Sequence, residues 1–305
     1  MLIDTKERLL LVGDNPFHSI SHLSQERARG RTEDPSNPKY AAGLILTAIE
    51  NGANGFTFSV SETTLAILEE LNMHKALDSL RLYPVVPYAF EYVRLANQSG
   101  ISGLARKFGA ELVRSPSLRS IGYGLKSVLT SDLSSILKTY LSYEICRVRS
   151  VSSKVCLESM VLHQLITDMA LALDLDWLFK EYIDFLLRRN ITPGFNTGNF
   201  PVLVNKFSEW SIDLGNIAVE TPFNKAGFQM TPSIEECEKA LSVIPKPIVI
   251  AISVFAAGYI RPEEGAEYIA ALPNMKGVAV GVSKESHARE TFSLFKKRFS
   301  LRSVS

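Results

Sequence analysis

Eight short apolar segments alternate with longer amphipathic segments along the chain, and this rhythm constrains the fold more than any other feature of the sequence. Segments such as PIVIAISVF (247–255) are apolar almost throughout, which is typical of strands buried on both faces of a parallel sheet. Amphipathic stretches such as 175–186 place apolar side chains at helical spacing. The predicted strands are residues 8–13, 55–61, 80–88, 155–163, 191–197, 216–224, 247–255 and 277–283.

The strict alternation of strands with helices predicts parallel strands joined by right-handed crossovers. Eight such units in 305 residues predict the α/β class and a (β/α)8 TIM barrel, formed as a single domain over residues 1–305. A doubly wound sheet is the alternative. That fold usually carries a GxGxxG turn after its first strand, and GDNPFH (13–18) lacks this pattern.

One interval is too long for a single connecting helix. Residues 89–153 separate the third and fourth predicted strands, and they contain helical patterns interrupted by Gly, Ser and Pro. We therefore expect a long helical insertion. In a barrel it leaves from the rim at the carboxyl ends of the strands, so it either folds over the site as a lid or packs against a neighbouring element or a partner subunit of a homo-oligomer.

The overall composition excludes several classes of partner. A formal net charge of +1 argues against a general nucleic-acid binder or a protein of acidic membrane surfaces. No apolar stretch reaches the roughly 20 residues that span a membrane, and MLIDTKERLL does not resemble a secretory signal. Three scattered cysteines indicate reduced thiols and a cytoplasmic protein. We expect a small-molecule substrate.

In a barrel of this kind the functional groups lie at the carboxyl ends of the strands. Three of the five histidines of the sequence fall at this predicted rim. The candidate catalytic residues there are His18, His22, His163 and Glu220. The candidate ligand-binding residues are Asp14, Asn15, Asn196, Thr197, Asn199, Asn224, Gly281, Ser283 and Lys284.

The loop after the first strand carries two histidines four residues apart. Asn15 is a plausible helix cap and Pro16 a plausible first helical residue, which would put His18 and His22 on one face. Such a pair can bind one divalent metal, with a third ligand from another strand end. Two alternatives remain open: a metal-free catalytic or substrate-binding role, and structural hydrogen bonds within an ordered loop.

The last predicted strand ends in GVSKESHARE (281–290), where a glycine-rich turn leads directly into a helix. The backbone N–H groups and the positive end of the helix dipole favour a bound anion such as a phosphate, and Lys284 would add a positive charge. A tight turn with a serine cap would have the same sequence.

Several segments resemble aldo-keto reductases. These are MVLHQ (160–164), LLRRNITPGFNTGNF (186–200), NIAVETPFN (216–224) and the closing stretch 247–292. The resemblance implies a TIM barrel that binds NAD(P). It places the family's histidine at His163, its nicotinamide contacts near Thr197 and Asn199, and its phosphate turn at Gly281, Ser283 and Lys284. Glu220 stands where the family usually has glutamine.

The rest of that family's catalytic set is missing. Thr57 or Ser59 stands in place of its aspartate, VSETTLAILEEL (60–71) contains no tyrosine donor, and RLYPVVPY (81–88) contains no lysine. A hydroxyl adjusted by a nearby cation is the general acid of that carbonyl reduction. We therefore do not expect carbonyl reduction by that mechanism.

Three functions remain open. The favoured one is an enzyme acting on a small polar substrate bearing a phosphate or carboxylate, as a lyase, isomerase or hydrolase, through histidine-based acid–base or metal-assisted chemistry. The second is an NAD(P)-dependent oxidoreductase with another proton donor, for which Tyr88 is a candidate. The third is a ligand-binding barrel without catalysis.

Overall fold

The computed structural model describes residues 8–18, 34–87, 133–244 and 247–302. In these residues nine parallel strand segments form one closed sheet, in the order β2-β1-β9-β8-β7-β6-β5-β3-β4, with β2 also pairing with β3. The strands are β1 (Leu9–Gly13), β2 (Gly55–Ser59), β3 (Arg81–Val86), β4 (Cys156–Leu157), β5 (Ser159–Leu162), β6 (Thr192–Asn196), β7 (Ala218–Pro222), β8 (Ile248–Ile252) and β9 (Met275–Gly281).

The helices surround this sheet. They are α1 (Pro38–Glu50), α2 (Glu62–Met73), α3 (Leu133–Val151), α4 (Gln164–Ala172), α5 (Asp176–Leu187), α6 (Phe200–Glu209), α7 (Ile234–Val243), α8 (Pro262–Ala271) and α9 (Glu285–Arg302). Short 3-10 helices cover Asn15–His18, Ala76–Asp78, Leu214–Asn216 and Ala256–Gly258.

Local sequence signals fix where the helices begin. The Ser61 Oγ accepts a hydrogen bond from the Thr64 N–H at 3.2 Å, and the Thr64 hydroxyl accepts one from the Ser61 N–H at 3.0 Å. This reciprocal pair is a capping box, and it starts α2 at Glu62, with only two residues between the helix and the end of β2. The end of β2 is thereby held at the rim.

Successive strand residues face opposite sides of the sheet, which gives the barrel two apolar regions. On β3, Tyr83 and Val85 point into the barrel, whereas Leu82 and Val86 pack against the helices. The interior cluster comprises Leu9, Leu11, Tyr83, Val85, Val161, Ala218, Ile248, Ile250 and Ala279. The closed interior leaves the rim as the place where polar side chains from different strands meet.

The predicted barrel is confirmed, and the fourth strand and its helix differ in detail. The predicted strand 155–163 is interrupted at Glu158. The two segments β4 and β5 both pair with β3, and together they occupy the fourth of the eight strand positions of the barrel. Two helices, α4 and α5, follow this strand position, where the sequence predicted one helix. The amphipathic pattern belongs to α5, which buries Phe179, Tyr182 and Leu186.

Part of the predicted insertion is helical. Helix α3 covers Leu133–Val151 and packs on α2 and α5. Residues 88–132, which carry most of the predicted insertion and its lid or interface role, lie outside the described residues. Among the helices that the structure describes, none is both long enough and apolar enough to cross a membrane.

Candidate active site at the barrel mouth

A cavity of about 390 Å³ opens at the carboxyl ends of the strands, and we call it the mouth cavity. Its polar side chains lie on β2, β6 and β7 and in the turns that follow strands of the barrel. The polar side chains lining it are Asp14, Asn15, Thr57, Ser59, His163, Asn196, Glu220, Ser253 and Ser283. The rim therefore collects residues that are up to 269 positions apart in the sequence, counted from Asp14 to Ser283.

Glu220 is the buried carboxyl group of this cavity, with only 2% of its surface exposed. It lies on β7 opposite Asn196 of β6, because these two residues are in register. The Thr57 hydroxyl donates to Glu220 Oε1 at 2.8 Å, and the Asn196 amide donates to Oε2 at 3.5 Å. Both carboxyl oxygens are thus oriented, one by Asn196 on the neighbouring strand β6 and the other by Thr57 on β2, which the strand order places across the barrel from β7.

Burial sets the protonation of Glu220. The pKa of Glu220 is raised from 4.5 to about 7, and desolvation by burial is the largest cause. The negative charge of Asp14 also raises this pKa, whereas the hydrogen bonds from Thr57 and Asn196 lower it. A carboxyl group with a pKa near neutrality exists in both protonation states at physiological pH. It can therefore donate or accept a proton.

Asp14 is the second carboxylate of the wall, and it is 7% exposed. Its Oδ2 accepts a hydrogen bond from the Ser59 N–H at 2.6 Å and lies 3.0 Å from His18 Nε2. His18 ends the short 3-10 helix Asn15–His18, which brings its ring back to Asp14. Asp14 therefore faces the cavity and His18 contacts Asp14.

His163 lines the mouth cavity and directly follows the end of β5. It caps helix α4, and its Nδ1 accepts the Leu165 N–H at 3.2 Å. Burial lowers the pKa of His163, and the charge of Asp168 partly opposes this. With Nδ1 used as an acceptor, the neutral ring carries its proton on Nε2, and His163 offers a hydrogen-bond donor at neutral pH.

The end of β9 also reaches the cavity. Gly281 and Ser283 line it, and Lys284 is exposed. A side chain at Gly281 would begin 2.8 Å from the Pro16 ring, so glycine allows the first and last strand ends to approach closely. Lys284 is not among the residues that line the mouth cavity, and the anion site at this turn stays a prediction.

Three of the predicted ligand-binding residues form hydrogen bonds within loops and helix caps beside the cavity. Thr197 donates its hydroxyl to Asp168 Oδ1 at 2.5 Å, and Asn199 caps α6 by accepting the Val202 N–H at 3.3 Å. Asn224 forms two hydrogen bonds of 2.8 Å with the backbone of Phe228. These side chains shape the loops beside the cavity, and they do not line it.

His22 lies outside the described residues, so the His18–His22 metal pair stays a prediction. Within the described ranges, no three His, Cys, Asp or Glu side chains gather closely enough to hold a metal ion. Sequence reasoning missed Asp168, which holds Thr197 and Gly198. The one sequence signal for Asp168 was a carboxylate in the second turn of the helix that follows His163.

Comparisons with known proteins identify the fold. No protein-family model matches the chain, and no curated protein matches it by sequence. Two solved structures from Pseudomonas aeruginosa, described as aldo-keto reductases, have TM-scores of 0.58 and 0.56 at 11% identity. Each alignment covers 98% of this chain and 94% of the other. An aldo-keto reductase from Bacillus halodurans has a TM-score of 0.48 at 10% identity, covering 87% and 85%. The chain has the barrel fold found in aldo-keto reductases.

Proposed function

We propose that this protein is an enzyme that transfers protons on a small polar substrate in the mouth cavity, with Glu220 as the transferring group. The observation that carries the proposal is a buried carboxyl group with a pKa of about 7 in the wall of an open cavity. Enzymes raise carboxyl pKa values in this way to obtain an acid and a base at neutral pH. Isomerase, lyase and hydrolase chemistry all use such a group.

Neighbouring groups suit a substrate that both donates and accepts hydrogen bonds. The Asn196 Oδ1 atom is buried and has no hydrogen-bond partner within the described part of the chain. It would accept a hydrogen bond from a substrate hydroxyl or amide. The Nε2–H of His163 would donate one to a substrate oxygen, and that donor is oriented by the cap to Leu165.

The mouth cavity also contains groups of opposite electrostatic character. Asp14 and Glu220 bring carboxyl groups into it, and Gly281 and Ser283 precede the amino end of α9. A helix amino end favours negative charge. We therefore expect a phosphate or carboxylate of the substrate at Gly281 and Ser283, with the reacting atoms toward Glu220.

The test starts from a thermal-shift search among small phosphorylated and carboxylated compounds. A stabilising compound is then incubated with the protein in D2O and followed by mass spectrometry, which detects deuterium uptake and the gain or loss of water. We expect turnover that falls by about 100-fold or more in Glu220→Gln. Glu267→Gln, a change on the exposed face of α8, is the matched control. Equal turnover in Glu220→Gln and the control would contradict the proposal.

A second candidate is an NAD(P)-dependent oxidoreductase, favoured by a second cavity of about 500 Å³ that adjoins the first. The two share Phe255, Val280 and Gly281, and the second runs along α8 and α9. Together they offer an elongated space of the kind that a dinucleotide needs. The lining residues of this second cavity carry both signs of charge, since they include Lys297 and the acids Glu263 and Glu290.

An oxidoreductase of this kind needs a proton donor in the mouth cavity, and the described tyrosines do not supply one there. Tyr83 is fully buried inside the barrel and does not line the mouth cavity, and Tyr88 lies outside the described residues. Fluorescence titration with NADPH and NADH tests it. Saturable binding that weakens in Lys297→Ala and not in the exposed control Lys239→Ala would favour the oxidoreductase. Absence of binding at about millimolar cofactor would remove it.

A further inference from the structure

A third cavity, of about 420 Å³, lies outside the barrel, between helix α4, the start of α6 and the loop after β7. We call it the side cavity. It shares no lining residue with the mouth cavity. The residues that line it are Gln164, Asp168, Leu171, Ala172, Gly198, Asn199, Val202, Gln229 and Thr231. Its volume is within the range of small-molecule sites in proteins.

The side cavity combines an apolar floor with one charged group. Leu171, Ala172 and Val202 supply hydrocarbon surface from α4 and α6. Asp168 is the sole charged residue among the lining side chains. The polar remainder consists of amides and a hydroxyl, which carry no charge. A ligand that matches this lining has one charged end and a short apolar body.

Both carboxylate oxygens of Asp168 accept hydrogen bonds from neutral donors. Its Oδ1 accepts from the Thr197 hydroxyl and its Oδ2 accepts from the Gly198 N–H at 3.1 Å. Each carboxylate oxygen can accept a second hydrogen bond, so two acceptor sites remain. No lysine or arginine in the described ranges forms an ion pair with Asp168.

We propose that the side cavity binds a small molecule with a primary ammonium group next to a short alkyl chain. The ammonium group would donate to Asp168 and to the Gln164 amide, which lies at the same opening. Hydrogen bonds between an ammonium and a carboxylate are charge-assisted and stronger than neutral ones. The alkyl chain would cover Leu171, Ala172 and Val202 and remove their surface from water.

One side chain connects this site with the mouth cavity. Gln229 lines the side cavity, and its Oε1 accepts a hydrogen bond from the Ser253 hydroxyl at 3.1 Å. Ser253 lines the mouth cavity. A ligand that contacts Gln229 therefore touches a residue bonded to the wall of the candidate active site. The proposal does not depend on acid–base catalysis by Glu220.

Isothermal titration calorimetry of the full chain with n-butylammonium chloride tests the proposal. Butyrate and n-butanol, which have similar alkyl chains and a negative or no charge, are the matched ligands. We expect saturable n-butylammonium binding, at least about tenfold tighter than either comparison compound. Binding should weaken by about tenfold or more in Asp168→Asn and stay unchanged in Asp184→Asn, a surface carboxylate on α5.

Asp168→Asn also disturbs the hydrogen bonds to Thr197 and Gly198, so it could weaken binding by altering the local structure. A second variant tests the site without changing Asp168. Ala172→Phe fills the side cavity from an exposed position near the end of α4, and it should abolish n-butylammonium binding while the fold is kept. Binding that ignores ligand charge, or binding that survives both Asp168→Asn and Ala172→Phe, would overturn the proposal. So would the absence of saturable binding up to about 50 mM n-butylammonium.

Discussion

Replacing Glu220 by glutamine should change how the stability of this protein depends on pH. In the folded protein burial raises the pKa of Glu220 to about 7, whereas the unfolded chain exposes this carboxyl group and returns it to about 4.5. Above the lower value the folded state holds more protons than the unfolded state. Stability from this group is therefore fully present at low pH and is lost as the pH rises through about 7.

The size of the effect follows from the two pKa values. Their separation corresponds to about 3 kcal/mol once both states are ionised, and about 2.5 kcal/mol of this falls between about pH 5 and pH 8. Glutamine does not ionise, so the variant does not lose this free energy of unfolding as the pH rises. The free energy of unfolding of Glu220→Gln, relative to the parent protein, should thus improve by about 2.5 kcal/mol between these pH values.

Urea unfolding followed by circular dichroism measures this difference. The parent protein, Glu220→Gln and the exposed control Glu267→Gln are compared at both pH values, and the control should follow the parent. The comparison between pH values removes the pH-independent part of the substitution, such as altered bonds to Thr57 and Asn196. A Glu220→Gln difference that is equal at the two pH values, to within about 0.5 kcal/mol, would refute the assigned ionisation.

Three further changes test other parts of the account. Tyr83→Phe should raise the free energy of unfolding by about 1 kcal/mol in urea titrations, because its buried hydroxyl has no partner among the described residues. Asp14→Asn should lower the pKa of Glu220 in a ¹³C NMR titration, since a nearby negative charge is removed; an unchanged or higher pKa would contradict the pairing. Phe179→Ala should lower the free energy of unfolding by about 4 kcal/mol, as its ring is fully buried against three other aromatic rings; a loss below about 1 kcal/mol would contradict that packing.

The barrel was predictable because its signals are local and repeated. Each strand is a short apolar run, and each helix has its own periodicity and caps, such as the Ser61–Thr64 box before α2. Alternation then leaves few topologies open. Strand interruptions were not predictable, because the break at Glu158 interrupts an otherwise apolar run and depends on pairing with β3.

The sequence predicted that the candidate site lies at the rim, but it did not predict what each side chain there contacts. Asp14, His163, Asn196 and Glu220 were selected because they follow apolar runs, and all four line the mouth cavity. The same rule selected Asn224, which closes a turn instead. A one-residue difference in where a strand ends rotates a side chain out of the barrel, and sequence patterns do not locate strand ends that closely.

The sequence by itself determined that this chain closes into a parallel barrel and that its polar groups gather at one end. Strand and helix periodicities are properties of neighbouring residues, so they are written in the chain directly. Only the tertiary structure decided that Glu220 meets Thr57 and Asp14, residues that lie 163 and 206 positions away from it in the sequence. Desolvation and charge repulsion at such distances in sequence arise from closure of the barrel, and they give this carboxyl group a pKa suited to proton transfer.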